Sequence, residues 1–121
     1  MSSRRVLIVD DDFDIRDALK DVLEDEGYVV DTAADGRYAL DLLRAPPFPC
    51  LILLDWMMPR CDGPQFRTQQ RAEPAIADIP VVLLTADARL SEKVSDIGAQ
   101  DYLKKPVQLE RLLDVVQRYC A

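Results

Sequence analysis

The chain has 121 residues, 49% of them hydrophobic, so it is long enough to bury one core and too apolar to be disordered. Its net charge of −7 argues against nucleic-acid binding by this domain, because phosphate contacts require clustered lysines and arginines. A cationic surface on a protein partner suits this charge better. No apolar run approaches the roughly 20 residues that cross a bilayer, and the N-terminus lacks an apolar signal segment, so we expect no membrane contact.

Apolar runs typical of buried strands alternate with helical repeats. The runs predict strands at residues 5–9, 28–32, 51–54, 81–84 and 101–103. Helical spacing predicts a helix after each strand. Asp14 is the expected N-cap of the first helix, and the last helix is expected to present Leu109, Leu112, Leu113 and Val116 on one face. This alternation predicts an α/β fold with a right-handed, doubly wound parallel sheet.

Two residue types limit the chemistry. Histidine is absent, which argues against a Ser-His-Asp triad and against the usual zinc sites. The three cysteines, Cys50, Cys61 and Cys120, are odd in number and unrelated in spacing. We therefore expect reduced thiols in a cytoplasmic protein.

Acidic residues follow two of the predicted strands. Asp10 and Asp11 come after VLIV, and Asp55 comes after LILL. Because the carboxyl ends of parallel strands meet at one edge of a sheet, we expect these side chains to lie together. Magnesium takes oxygen ligands and is usually held by one or two carboxylates together with a phosphate. The pattern therefore predicts a Mg²⁺ site, whereas Asp12 and Asp14 are read as helix-capping or solvated residues.

A hydroxyl and an ammonium group follow the last two strands. Thr85 ends VVLLT, and Lys105 precedes Pro106 after the fifth strand. A positioned hydroxyl and ammonium stabilise the charge on the oxygens of a transferring phosphoryl group. A cis Lys105–Pro106 bond would aim the ammonium inward. Lys104 is read as a solvated surface lysine.

These motifs resemble the receiver domain of two-component response regulators. VLIVDDD matches the acidic pair of that family, LILLDWMMPRCDG the acceptor-aspartate motif, LLTAD the switch threonine and DYLKKP the Lys-Pro motif. The resemblance covers residues 1–121 as one receiver domain. It implies a flavodoxin-like sheet of five parallel strands in the order 2-1-3-4-5, with five helices.

The resemblance also implies a role for each matching position. Asp55 would be the phosphoacceptor, attacking a phosphohistidine of a sensor histidine kinase or phosphotransfer protein. Asp11, Asp55 and the backbone carbonyl of Met57 would ligate Mg²⁺, with Asp10 acting mainly through a metal-bound water. Lys105 would pair with the phosphoryl oxygens.

The resemblance implies a switch as well. Thr85 would move toward the phosphoryl group and Tyr102 would swing inward behind it, changing the surface of the fourth helix, fifth strand and fifth helix. A downstream protein or effector domain would read this surface, and a phosphorylation-dependent homodimer could use it. Such a domain is not an enzyme, although it assists its own phosphorylation and dephosphorylation.

Several positions differ from the family pattern. Val107 follows Lys-Pro where an aromatic residue is common, and the segment between Thr85 and Lys105 is shorter than usual. The third helix carries Arg67, Gln69 and Gln70 where apolar residues are usual. These differences concern the output surface and any dimer interface. Met57 and Asp87 are expected beside the site, where such residues often tune the lifetime of the phosphoryl group.

Three other classes of protein deserve comparison. An aspartyl-phosphate phosphatase usually has a second acid two residues after its nucleophile, where this chain has Met57. A nucleotide-binding domain would need a glycine-rich phosphate loop, which the four glycines do not form. A receiver-like interaction module that has lost phosphorylation would not need the intact acidic and basic set.

Overall fold

The alternating apolar runs and helical repeats build a single parallel sheet. The computed structural model describes residues 4–86 and 89–120. Its strands are β1 (Arg5–Val9), β2 (Val29–Ala33), β3 (Leu51–Asp55), β4 (Val81–Thr85) and β5 (Asp101–Lys104). All neighbouring strands are parallel, in the order β2-β1-β3-β4-β5. This confirms the predicted doubly wound fold and its strand order.

Each strand is followed by a helix, as predicted. The helices are α1 (Phe13–Asp25), α2 (Gly36–Leu42), α3 (Gly63–Arg71), α4 (Leu90–Ile97) and α5 (Leu109–Tyr119). Within the described residues, no helix is both long and apolar enough to span a membrane.

Helices cover both faces of the sheet, so the central strands are apolar along their whole length. On one face, β1 and β3 residues such as Ile8 and Leu53 pack with α1 and α5 residues such as Leu23 and Val116. On the other face, alternate strand residues pack with residues of α2, α3 and α4, including the fully buried Phe66. Three successive residues of β4, for example, are completely buried. The core thus consists of two apolar layers with the sheet between them.

Two sequence-based expectations about helices are wrong in detail. The N-cap of α1 is Asp12, whose side chain accepts hydrogen bonds from the N–H groups of Asp14 and Ile15 at 2.9 and 3.3 Å. Asp14 already lies in the first turn of the helix. In α5 the side chain of Leu109 is half exposed, and Val115 is buried instead. Leu109 is the first residue of α5.

The polar third helix contributes buried hydrogen bonds in place of apolar packing. The Arg67 guanidinium is buried and donates to the carbonyl oxygens of Ile97 and Gly98, at 3.0 and 2.9 Å, and to Gln70 Oε1 at 2.8 Å. Gln70 in turn donates to two carbonyl oxygens of the connection between α3 and β4. Of the three polar residues noted in the sequence, only Gln69 is exposed. Arg67 therefore attaches α3 to the carboxyl end of α4.

The cysteines differ from the expectation of three reduced thiols. Cys50, just before β3, forms a disulfide with Cys120, just after α5, with Cα atoms 5.5 Å apart. Cys61 is the free cysteine and is buried. The spacing gave no signal, because these two residues are 70 positions apart and become neighbours only when α5 packs on the sheet. The bridge lies at the amino end of the strands, opposite Asp55.

Reduction of the disulfide should destabilise the fold, because the bridge restricts the unfolded chain. For a closed loop of this length we expect the free energy of unfolding to fall by about 2–4 kcal/mol. Urea denaturation with and without a thiol reductant measures this difference. The Cys50→Ala variant is the matched control and should show no response to reductant. An equal response of the variant and the wild type would contradict the bridge.

Candidate functional site

The three acidic residues predicted to form a cation site lie together at the carboxyl edge of the sheet. Asp10 and Asp11 follow β1, and Asp55 is the last residue of the neighbouring β3. One carboxylate oxygen from each residue lies within 4.8 Å of the other two. Asp10 is fully buried, Asp55 is almost buried and Asp11 is exposed. The cluster is therefore open to solvent on the Asp11 side.

Lys105, the residue after β5, joins this cluster. Its Nζ atom lies 2.8 Å from Asp10 Oδ2 and 3.2 Å from Asp55 Oδ1. The peptide bond between Lys105 and Pro106 is cis, as the sequence suggested, and the backbone N–H of Lys105 donates to the Thr85 carbonyl at 3.0 Å. Lys104 is exposed, as expected. One ammonium group thus bridges two carboxylates at the end of the sheet.

Burial and charge shift the pKa values of the groups in this cluster. Burial and then the charge of Asp10 raise the pKa of Asp55 to about 6, and Lys105 only partly offsets them. Burial by itself lowers the pKa of Lys105, but its hydrogen bond to Asp10 and the charges of Asp55 and Asp10 outweigh burial and raise it. The Lys105 ammonium therefore stays protonated at neutral pH, and the carboxylates still repel one another.

Asp10 is held rigidly, whereas Asp11 faces solvent. Asp10 Oδ1 accepts from the Asp12 N–H at 2.9 Å, and its backbone N–H donates to Ala33 at 3.0 Å. The Arg16 guanidinium donates to the Asp10 carbonyl oxygen at 2.7 Å. Asp12 itself caps α1 and takes no place in the three-carboxylate group. Asp10 is therefore the carboxylate of the cluster whose position is fixed by hydrogen bonds to its side chain and backbone.

Thr85 and Tyr102 lie on the same face of the sheet. Thr85 is buried at the end of β4, and Tyr102 is half-buried on β5. Tyr102 pairs in register with Leu83, two residues before Thr85, so both side chains project toward α4. Tyr102 also packs against the core layer beneath α2, α3 and α4. This placement is the one that the switch prediction requires.

Met57 and Asp87 complete the sequence-based set. Met57 lies in the loop between β3 and α3, and its side chain is 75% exposed. Asp87 lies outside the described residues. The Met57 side chain, two residues after Asp55, therefore faces solvent.

The sequence reasoning missed two charged residues beside this loop. Asp35 follows β2 at the same edge of the sheet, is 1% exposed and caps α2 by accepting from the Tyr38 N–H at 2.9 Å. Arg60, in the loop after Asp55, donates to Asp35 through Nε at 2.9 Å and through Nη2. The available signal was an aspartate followed by Gly36, three residues after the predicted strand 28–32.

The donor set fits a small, hard divalent cation. Three carboxylate oxygens converge, one ammonium cannot neutralise them, and one carboxylate is open to water. Magnesium prefers oxygen ligands and keeps several of its waters, which such a half-open site allows. No sulfur or imidazole belongs to the group, so a zinc site is not favoured.

Comparison with known proteins identifies the class. The family model of the response regulator receiver domain matches residues 6–117. The chain belongs to this family, and receiver domains of this family act in two-component signalling. The resemblance inferred from the four motifs is thereby confirmed.

Particular relatives support the same assignment. The chain is 47% identical over 111 residues to the response regulator MprA of Mycolicibacterium vanbaalenii, covering 90% of this chain and 47% of that protein. It is 45% identical over 113 residues to MprA of Mycobacterium bovis, covering 92% and 48%. The chain thus spans about half the length of these curated relatives.

Solved structures share the fold closely. The chemotaxis response regulator CheY4 of Vibrio cholerae superposes with a TM-score of 0.87 at 35% identity, over 98% of this chain and 99% of that one. The receiver domain of the sensor histidine kinase PA1611 of Pseudomonas aeruginosa superposes with a TM-score of 0.88 at 27% identity, over 98% of each chain. That structure has a magnesium ion coordinated in its active-site cleft.

Magnesium should stabilise this fold, because a cation relieves the repulsion among the three carboxylates. Binding to the folded state alone adds about 2.7 kcal/mol at a hundredfold excess over the dissociation constant. We expect the melting temperature to rise with Mg²⁺, and Asp11→Ala to remove most of that rise. Calorimetric melting at several Mg²⁺ concentrations measures both effects. An identical Mg²⁺ response in the variant would refute the site.

Proposed function

We propose that residues 1–121 form one receiver domain that accepts a phosphoryl group on Asp55 in a Mg²⁺-dependent reaction. The observation that carries this proposal is the contact of Lys105 with both Asp10 and Asp55, beside a third, open carboxylate. On this proposal, Asp55 would be the nucleophile, the three carboxylates would form the cation site and the Lys105 ammonium would bind the phosphoryl oxygens.

The transfer needs little covalent chemistry from the protein. One Asp55 carboxylate oxygen attacks the phosphorus of a phosphohistidine, the O–P bond forms, the P–N bond breaks, and its electron pair stays on the imidazole. Lys105 then exchanges part of its contact with Asp55 for a phosphoryl oxygen. Bound Mg²⁺, held by Asp11, Asp55 and the Met57 carbonyl with Asp10 acting through water, would neutralise the growing negative charge.

Partners follow from this reaction. The donor would be a sensor histidine kinase or a phosphotransfer protein, and the receiver would be a downstream protein, an effector domain or a second copy of the chain. The net charge of −7 supports a protein partner over a nucleic acid. A cytoplasmic location suits a donor that carries phosphohistidine. The domain would act as a regulator and would not turn over a substrate, although it would assist its own phosphorylation and dephosphorylation.

Asp55 should be the sole acceptor. With a small-molecule phosphodonor such as acetyl phosphate and Mg²⁺, intact mass should rise by one phosphoryl group. Asp55→Asn should abolish the increase, because an amide oxygen is a poor nucleophile. Asp12→Asn is the matched control, since Asp12 caps α1 outside the cluster, and it should be modified like the wild type. Full modification of Asp55→Asn would exclude the assignment.

We propose further that phosphorylation is read through Thr85 and Tyr102. Negative charge on Asp55 favours donation from the Thr85 hydroxyl, and a move of Thr85 vacates space on the face that Tyr102 shares. The half-buried Tyr102 is the large side chain placed to fill that space. The change would appear on α4, β5 and α5. Phosphorylation then shifts an existing equilibrium between two arrangements.

Beryllofluoride, a phosphoryl mimic, should move Thr85 and Tyr102 together in the wild type. In Thr85→Ala, Asp55 should still be modified, but the signal should reach Tyr102 poorly because the hydroxyl donor is gone. Amide chemical shifts in residues 89–104 measure the response. Equal shifts in the variant and the wild type would show that the output travels by another route.

A further inference from the structure

The loop that follows Asp55 is closed at its base. It runs from Trp56 to Asp62, and the N–H of Gly63 donates to the Trp56 carbonyl at 2.9 Å. A Cβ atom on Gly63 would lie 2.9 Å from the Asp55 carbonyl oxygen, which is too close for any other residue. The backbone directly after Asp55 is therefore attached to the first residue of α3.

The far end of the same loop packs on the start of α2. The N–H of Gly36 donates to the Cys61 carbonyl at 3.0 Å. A Cβ atom on Gly36 would lie 2.7 Å from that carbonyl oxygen and 2.8 Å from Cys61 Sγ, so only glycine allows the contact. The buried Cys61 side chain thus fixes the position of this residue of the loop against α2.

Arg60, the residue before Cys61 in the same loop, is held by an ion pair with Asp35. Its guanidinium donates through Nε and Nη2 to one oxygen of the buried Asp35 carboxylate. The other oxygen accepts from Tyr38. That hydrogen bond lowers the pKa of Asp35, burial opposes it, and Arg60 lowers it further, so the carboxylate is ionised at neutral pH. The charged pair is only half covered, since most of the Arg60 side chain is exposed.

The backbone of Arg60 has an uncommon conformation that the ion pair can stabilise. Its φ angle is 65°, in the left-handed region that a residue with a Cβ atom adopts only when its surroundings favour it. Asp35 contacts the side chain of Arg60, and Gly36 contacts the next residue. Without the ion pair, we expect the backbone at Arg60 to relax toward a commoner conformation. Met57 lies only three residues before Arg60 in the same loop.

We propose that Arg60 and Asp35 are positioning residues for magnesium, which hold the loop so that the Met57 carbonyl faces the Asp11 and Asp55 carboxylates. This inference rests on the proposed function, since the role of the Met57 carbonyl as a ligand belongs to it. Neither residue belongs to the three-carboxylate cluster, and the Asp35 carboxylate is hydrogen-bonded to Arg60 and Tyr38 instead. Its effect on metal binding is therefore indirect, through the loop backbone.

Magnesium titration of four proteins tests the proposal. Isothermal titration calorimetry gives the dissociation constant for the wild type, Arg60→Gln, Arg60→Gly and Arg44→Gln. Arg44 is the matched control, because it forms an exposed ion pair with Asp41 at 3.1 Å on the neighbouring helix. Arg60→Gly distinguishes loss of the ion pair from strain at the positive φ angle, since glycine accepts a positive φ but cannot bind Asp35.

We expect both Arg60 variants to weaken Mg²⁺ binding about tenfold, as loss of an outer partner of a metal site typically does. Melting temperatures without Mg²⁺ should stay close to that of the wild type, and saturating Mg²⁺ should restore full modification of Asp55. Arg44→Gln should bind like the wild type. Wild-type affinity in Arg60→Gly, or equal affinities in Arg60→Gln and Arg44→Gln, would overturn the proposal.

The pair itself is tested by a double-mutant cycle with Asp35→Asn. Arg60→Gln should weaken Mg²⁺ binding much less in the Asp35→Asn background than in the wild type, because the contact is already gone. Strictly additive losses would overturn the assignment of the effect to the ion pair. Failure of the proposed function looks different: the wild type itself would not bind Mg²⁺ or would not be modified on Asp55.

Discussion

The site depends on charge that the fold cannot neutralise by itself. Two buried carboxylates and an exposed third are drawn to one end of the sheet, where a single ammonium contacts two of them. Burial, and then the charge of Asp10, raise the cost of ionising Asp55 and so raise its pKa. Repulsion among the carboxylates at this edge destabilises the fold, and burial of the apolar layers on both faces of the sheet offsets it. The negative charge that remains at this edge favours binding of a small divalent cation.

Much of this could be predicted because the relevant signals are local. Apolar runs specify buried strands, the carboxyl ends of parallel strands share one edge, and the residue after each run therefore belongs to the site. These signals predict that Asp10, Asp11, Asp55 and Lys105 lie together, and the structure brings the four side chains to one edge. The cap of α1 was misplaced by two residues, because several aspartates in a row offer equivalent local choices.

The features that escaped prediction depend on contacts between distant segments. The Cys50–Cys120 bridge joins residues 70 apart, and the ion pair of Arg60 and Asp35 joins two loops that meet only in the folded chain. Arg67 and Gln70 stand where apolar residues are usual, and their donors satisfy backbone carbonyls that an apolar side chain would leave unpaired. No periodicity in the sequence encodes such pairings.

The contact of Arg67 with α4 makes the two ends of that helix unequal. At the carboxyl end, a buried cation satisfies the carbonyls of Ile97 and Gly98 and suits the negative end of the helix dipole. At the amino end, the N-cap position Arg89 supplies no side-chain cap hydrogen bond. The carboxyl end of α4 is therefore attached to α3 by side-chain hydrogen bonds from a single residue. Any displacement of α4 that broke this contact would leave the buried Arg67 guanidinium without two of its acceptors, so the contact with α3 limits how α4 can move.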